Sequence, residues 1–167
     1  MTGAPSPRLT LAVRLVLVVF SGYHLVTGIV SVCFPEFSEV FYQKLYHFYP
    51  TMTEQYKLVL KPWGALAFFA GVMGFYACWD PYRYRGVLVA LVILLLTRVA
   101  YRSAFADELV EVFQIDKPRN AINTGLIAAE VVLFSVWLWR TRGLASATPE
   151  VAPSEAPAPT PEQGPTP

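Results

Sequence analysis

Residues 94–105, LLLTRVAYRSAF, set Arg98 and Arg102 four positions apart in an otherwise apolar run, so in a helix they share one face. Ionisable groups at membrane depth are costly and turn toward the interior of a bundle, where they find partners. The other ionisable candidates are His24 and Arg14 near the N-terminus and Glu130 near the C-terminus, with the polar Asn123 on the same helix face as Glu130. Helical rise counted from the outer helix ends puts Arg98 about 10 Å deep, Arg102 and Asn123 about 5 Å, and Glu130 about 15 Å. His24 falls about 8 Å deep on a stripe with Ser21, Gly28 and Ser31. One polar cluster of His24, Arg98, Arg102, Asn123 and Glu130 is therefore expected in the outer half of a bundle.

Three chemistries suit such a cluster. The simplest is a buried Arg98–Glu130 ion pair that fixes helix register, with Arg102 meeting Asn123. A guanidinium left free would instead bind an anion or a headgroup. Glu130 with His24 would serve proton-coupled transport or catalysis. Arg14 sits near the inner surface, where a long side chain snorkels. The pattern is poor for an enzyme: metal-ligand spacing, a nucleophile beside a base and a phosphate loop are all missing, and no metal or cofactor is implied.

The elements that must position these residues follow from composition. Of 167 residues, 54% are hydrophobic and 15% charged, against roughly 25% charged in a soluble domain. Net charge is +1 without a basic block, which removes nucleic acid as a partner. A bilayer core takes about 20 apolar residues per helix. Spans are expected at about 9–34, 58–79, 86–105 and 121–139, giving an all-α, four-helix integral membrane bundle with the bilayer as its solvent. The first span is long, contains Arg14 and lacks a small-residue cleavage site, so it reads as a retained helix. Residues 143–167, rich in Pro and Ala, read as a disordered tail after the 9–142 membrane domain, with 1–8 as a short leading segment.

Between the first two spans, Phe37, Phe41, Leu45 and Phe48 recur at helical spacing, which predicts an amphipathic helix lying in the interface or a lid over a site. In the second span Gly64, Ala67, Gly71 and Gly74 form a stripe of small residues. Such stripes let helix backbones approach closely in lipid, either within the chain or against a partner or second copy. Pro62 suits the first turn of that helix. Four spans put both termini on one side, with Arg8, Arg83, Arg85, Arg140 and Arg142. The opposite side has Lys44, Lys57, Lys117 and Arg119 among many carboxylates. This bias favours cytoplasmic termini in a bacterial cell membrane. Cys33 and Cys78 then lie at opposite ends of the bundle, beyond disulfide reach.

Gly22 and Gly28, the Gly-rich PWGALAFFAGVMGF, the Arg near the end of the third span and INTGLIAAEVVL with its Glu in the fourth together resemble the DoxX-like superfamily of four-helix membrane proteins. The likeness covers about residues 10 to 140. The second span lacks the acidic residue that many members carry there. The resemblance implies a left-handed bundle and, in some relatives, association with membrane redox complexes or assistance to other membrane proteins. It carries over Arg98 and Glu130 without an established chemistry. The expected function is a small accessory or assembly subunit that packs on a membrane partner through the small-residue stripe. The alternative is binding or transport of an amphipathic ligand, a quinone or lipid, in the outer-half cavity.

Overall fold

Long apolar runs interrupted by polar, Pro-containing corners fold into helices, because in lipid each backbone N–H and C=O must be satisfied within its own segment. The structure, a computed structural model, describes residues 6–46 and 53–142, with Tyr46 and Phe113 described by their backbone alone. The helices are α1 (Pro7–Cys33), α2 (Pro35–Tyr46), α3 (Glu54–Trp79), α4 (Arg85–Ala104), α5 (Ala106–Phe113) and α6 (Lys117–Arg140). Of these, α1, α3, α4 and α6 are long and apolar enough to cross a bilayer, with mean hydropathy from 1.5 to 2.0. The chain is an all-α, multi-pass integral membrane protein. The tail at 143–167 and Phe48 lie outside the described residues.

Helix boundaries are set by caps more than by hydropathy. Ser6 caps α1 through Oγ and the Leu9 N–H, and Thr53 caps α3 through its hydroxyl and the Tyr56 N–H. The Thr53 cap starts α3 before the apolar run, so Pro62 lies inside the helix instead of in its first turn. There its missing N–H leaves the Leu58 carbonyl without the usual helical donor. α6 likewise starts at Lys117, with Pro118 in its first turn, earlier than hydropathy indicates.

Three arginines close helix C-termini, where carbonyls lack helical donors and the dipole favours a cation. Arg85 donates from Nη1 to the Thr141 carbonyl and from Nη2 to the Leu138 carbonyl, both at 2.7 Å, at the end of α6. Arg14 donates to the Trp79 carbonyl at 3.4 Å at the end of α3, which gives this exposed side chain a specific partner. Arg119 donates to the Leu45 carbonyl at 2.8 Å and ties α6 to the last turn of α2.

Helices pack most closely as two pairs, α1 with α3 and α4 with α6. In the first pair Gly64, Ala67, Gly71 and Gly74 are buried against α1. A Cβ on Gly28 would stand 2.6 Å from the Phe68 backbone nitrogen, and one on Gly71 would stand 2.8 Å from that of Leu25. The backbones touch there, and the stripe is consumed inside the chain. Joining the pairs at the end that carries the termini is an apolar core of Val13, Leu17, Phe20, Ala77, Leu88, Leu91, Leu95, Val131, Phe134 and Trp137. Cys33 and Cys78 are free and end α1 and α3 respectively, at opposite ends of the bundle.

Short helices cap the other end. α2 turns Ser38 and Tyr42 inward and leaves Phe37 (55% exposed) and Leu45 outward. Phe41, between them on the same stripe, is half-buried against Tyr42, Leu60 and Ile115. The sequence reading did not anticipate α5 at all. Its ADELVEVF pattern is strongly amphipathic, but Asp107, Glu108 and Glu111 mask it on a scale tuned to membrane spans.

Candidate functional site

The site is built by three helices whose inward stripes change character at one level. On α1, Val13, Leu17 and Phe20 are followed at steps of three and four by His24, Thr27 and Ser31. On α4, Leu88, Leu91 and Leu95 are followed by Arg98 and Arg102; on α6, running the other way, Asn120, Asn123, Ile127 and Glu130 precede Phe134 and Trp137. This spacing keeps one face on the bundle axis. Each stripe is apolar toward the termini and polar toward α2 and α5.

The polar portions surround two chambers. One, of about 200 Å³, is walled by Tyr23, His24, Arg98, Arg102, Asn123 and Glu130, with Leu126 and Ile127 at its edge. The structure thus brings all five residues of the expected cluster to one cavity. The second, of about 170 Å³, lies under α2 and is walled by Thr27, Tyr42, Tyr56 and Leu60, with Trp63 at its edge. Tyr23, His24, Arg98 and Arg102 belong to both and stand between them. Leu126 is 62% exposed and Trp63 51% exposed, so each chamber reaches the lipid-facing surface beside an apolar side chain. A wider, open groove of about 390 Å³ outside α5 reaches Arg102 from the surface and includes Lys117, Asn120 and Thr124.

Hydrogen bonding fixes the state of the imidazole. His24 Nδ1 lies 2.9 Å from the Phe20 carbonyl oxygen, an acceptor, so Nδ1 carries the proton. Nε2 is then a lone pair, and it accepts from Arg98 Nη1 at 3.1 Å. His24 is neutral in this arrangement, and Arg98 spends one donor on it without losing its charge.

The Arg98–Glu130 ion pair is not formed. Among the described residues the ion pairs are Lys57 with Glu36 and Glu54, and Lys117 with Asp107. Arg98 turns to His24 on α1, while Glu130 on α6 lines the same chamber and makes no ion pair with it. Arg102 also makes no bond to Asn123. Its carbonyl accepts from Asn120 Nδ2 at 3.4 Å, and its guanidinium Nε and Nη2 are buried without a hydrogen-bond partner. Asn120 Oδ1 is buried unpartnered as well.

α2, which covers the second chamber, is tied at three points. Ser31 Oγ donates to the Thr27 carbonyl, so the Tyr42 hydroxyl is the donor in its bond to Ser31 Oγ. Burial raises the Tyr42 phenol above its ordinary pKa, against the lowering effect of Ser31, and keeps it a neutral donor. Lys57 bridges to Glu36 at the start of α2, and Arg119 holds its end. Sequence reasoning missed Tyr23, Thr27 and Tyr42 as wall residues. Thr27 was visible as the next step after His24 on the same stripe, whereas Tyr42 was hidden within an aromatic run that suits an interface.

Among the described residues, no three His, Cys, Asp or Glu side chains converge as metal ligands. A larger groove, about 560 Å³ and lined by Phe75, Tyr76, Trp79 and Arg83, lies at the opposite end of α3. Its one carboxylate, Asp80, accepts from the Tyr82 and Arg83 N–H groups through one oxygen. That groove lacks a buried unpaired donor, so the polar chambers are the better site. No protein-family model matches the chain, and no curated protein or solved structure does so either.

Proposed function

We propose that this membrane protein binds an amphipathic ligand, with its polar head in the paired chambers and its apolar part passing between helices into lipid. The observation that carries this reading is the wall itself: charged and hydrogen-bonding groups inside, Leu126 and Trp63 at the lipid-exposed edges. Each chamber is smaller than the roughly 300 Å³ at the low end of small-molecule pockets. A headgroup or ring fits there and a whole lipid does not. In this reading α2 is the lid, and transfer of the ligand follows its opening.

The accessory-subunit expectation rested on the small-residue stripe, and that surface is buried against α1. A partner would have to use another face. Membership of the DoxX-like superfamily belongs to the same proposal, supported by the Gly-rich second span and by Arg98 and Glu130 on facing walls. So does the orientation: Arg8, Arg83, Arg85, Arg140 and Arg142 favour cytoplasmic termini in a bacterial cell membrane, with the chambers in the outer leaflet.

The test is to purify the full chain in mild detergent, extract bound amphiphiles and identify them by mass spectrometry. Wild type should retain one class of amphiphile in near-stoichiometric amount. Asn123→Trp, which fills the first chamber, should lose it while keeping its helical circular dichroism. Equal retention by both proteins, or none by wild type, would sink the reading.

A further inference from the structure

The charge inventory of the chambers points to the class of ligand. Arg98 and Arg102 are two fixed cations on successive turns of α4. His24 is held neutral by its donation to Phe20, and Glu130 is the one carboxylate in the walls. Arginine stays charged even when buried, so with Glu130 ionised the walls carry one net positive charge. Three other arginines near helix ends are spent differently: Arg14, Arg85 and Arg119 each donate to a terminal carbonyl. Arg102 does not.

Its Nε–H and Nη2–H are the parallel pair with which a guanidinium grips an oxyanion side-on. Both atoms are buried and have no acceptor in the protein. An unsatisfied buried donor costs the full desolvation of that group, and a natural structure with two on one edge implies an absent acceptor. The groove outside α5 adds a route. It reaches Arg102 from the surface past Lys117, and no carboxylate lines it.

Resting on the amphiphile-binding reading, we propose that the bound headgroup is a singly charged phosphodiester, held side-on by Arg102 and braced by Arg98. One negative charge brings the walls to neutrality. A carboxylate's two coplanar oxygens would both be used by a single guanidinium fork. A tetrahedral phosphate has further oxygens for a second guanidinium one turn away. Arg102 lies two residues from the end of α4, about 3 Å along the axis, close to the polar end of its span. The diester reaches its site without leaving the interface, and its acyl chains run out past Leu126.

The experiment titrates the full chain in neutral maltoside detergent with dihexanoylphosphatidylglycerol and follows binding by native mass spectrometry and melting. Inorganic phosphate, laurate and decyl-ubiquinone are parallel probes. The phosphatidylglycerol should bind and raise the melting temperature. Arg102→Gln should weaken it on the order of tenfold to a hundredfold, the span expected of charge-assisted bonds. Arg102→Lys, which keeps the charge and loses the fork, should restore only part of that loss, and this contrast stays readable if Arg102→Gln folds poorly. Binding of inorganic phosphate as tightly as the lipid would overturn the lipid assignment. Tighter binding of laurate or of the quinone would overturn the phosphodiester and leave the amphiphile reading standing. If no probe binds, both fall.

Discussion

The two ends of this bundle use the same helical faces for opposite purposes. Toward the termini, Val13, Leu17 and Phe20 of α1 meet Leu88, Leu91 and Leu95 of α4 and Phe134 and Trp137 of α6 in a filled core. Continue each face past that level and the residues are His24, Thr27, Arg98, Arg102, Asn123 and Glu130, around chambers of about 200 and 170 Å³. The helices do not change direction of approach; the side chains change. Apolar residues fill the space between the pairs, whereas charged ones hold it open because each must keep polar company. One end therefore holds the protein together, and the other is left unfilled at a cost in stability.

The sharpest way to break that comparison is to cut matching positions. Trp137 is fully buried, and Trp137→Ala should lower unfolding stability by about 3 kcal/mol or more, the cost of a large cavity in a closed core. Asn123→Ala, on the same stripe of α6 but at a chamber wall, should cost under about 1 kcal/mol. Reversible unfolding in mixed detergent micelles measures both, and equal losses would erase the distinction. Next in size is the contact within the α1/α3 pair. Gly71→Val places a Cβ 2.8 Å from the Leu25 nitrogen and 3.0 Å from the Ser21 carbonyl oxygen. Backbone atoms cannot step aside, so the expected loss is about 1–3 kcal/mol. Gly125→Ala is the control: nothing lies within 4 Å of the added carbon, and helix propensity predicts a gain of up to about 1 kcal/mol. A neutral Gly71→Val would mean that the close approach contributes little.

Much of this division was legible in the sequence, because burial in a membrane bundle follows the same three-and-four spacing as in water. His24, Arg98, Arg102, Asn123 and Glu130 could be assigned to one half of the bundle from rise alone, since helices that cross a bilayer are nearly parallel rods. Pairing could not be read. Depth says that Arg98 and Glu130 lie within a turn of each other, but not that the guanidinium swings to α1, where His24 Nε2 is already a lone pair because Phe20 takes the other nitrogen's proton. That outcome depends on rotamers and tautomers, which spacing does not encode. α5 escaped for a different reason: eight residues with three carboxylates carry their signal in periodicity, while a span search weighs average hydropathy.

The open arrangement of Arg98 and Glu130 makes the third prediction smaller than a clasp would. Removing one partner of a buried ion pair costs about 3–5 kcal/mol because it strands the other charge. Here Arg98 keeps its bond to His24 when Glu130 is neutralised. Glu130→Gln should therefore shift stability by less than about 1 kcal/mol, read by the same unfolding measurement. A loss near the buried-pair figure would show that the two groups close on each other in the membrane.

The smallest effect belongs to the rim. α5 buries little besides Leu109 and is joined to α6 by Lys117 Nζ at 2.8 Å from Asp107 Oδ1. The Lys117 ammonium bonded to Asp107 holds that carboxyl below its ordinary pKa. A depressed folded pKa contributes stability above the unfolded value, about 3.9, which is lost as pH falls through the folded value. Both side chains are largely exposed, so water and salt screen the pair and global melting should scarcely respond. The local response is the useful one. Amide exchange in α5 should quicken as pH drops from about 5 to about 3, after correction for intrinsic exchange, and Asp107→Asn should already be fast at the higher pH. Lys117 also lines the groove that leads to Arg102, so loosening this tie frees the cation nearest that entrance while the core around Trp137 stays closed. Exchange in α5 that ignores both pH and the substitution would show that apolar contacts alone hold it, and that the rim is as fixed as the core.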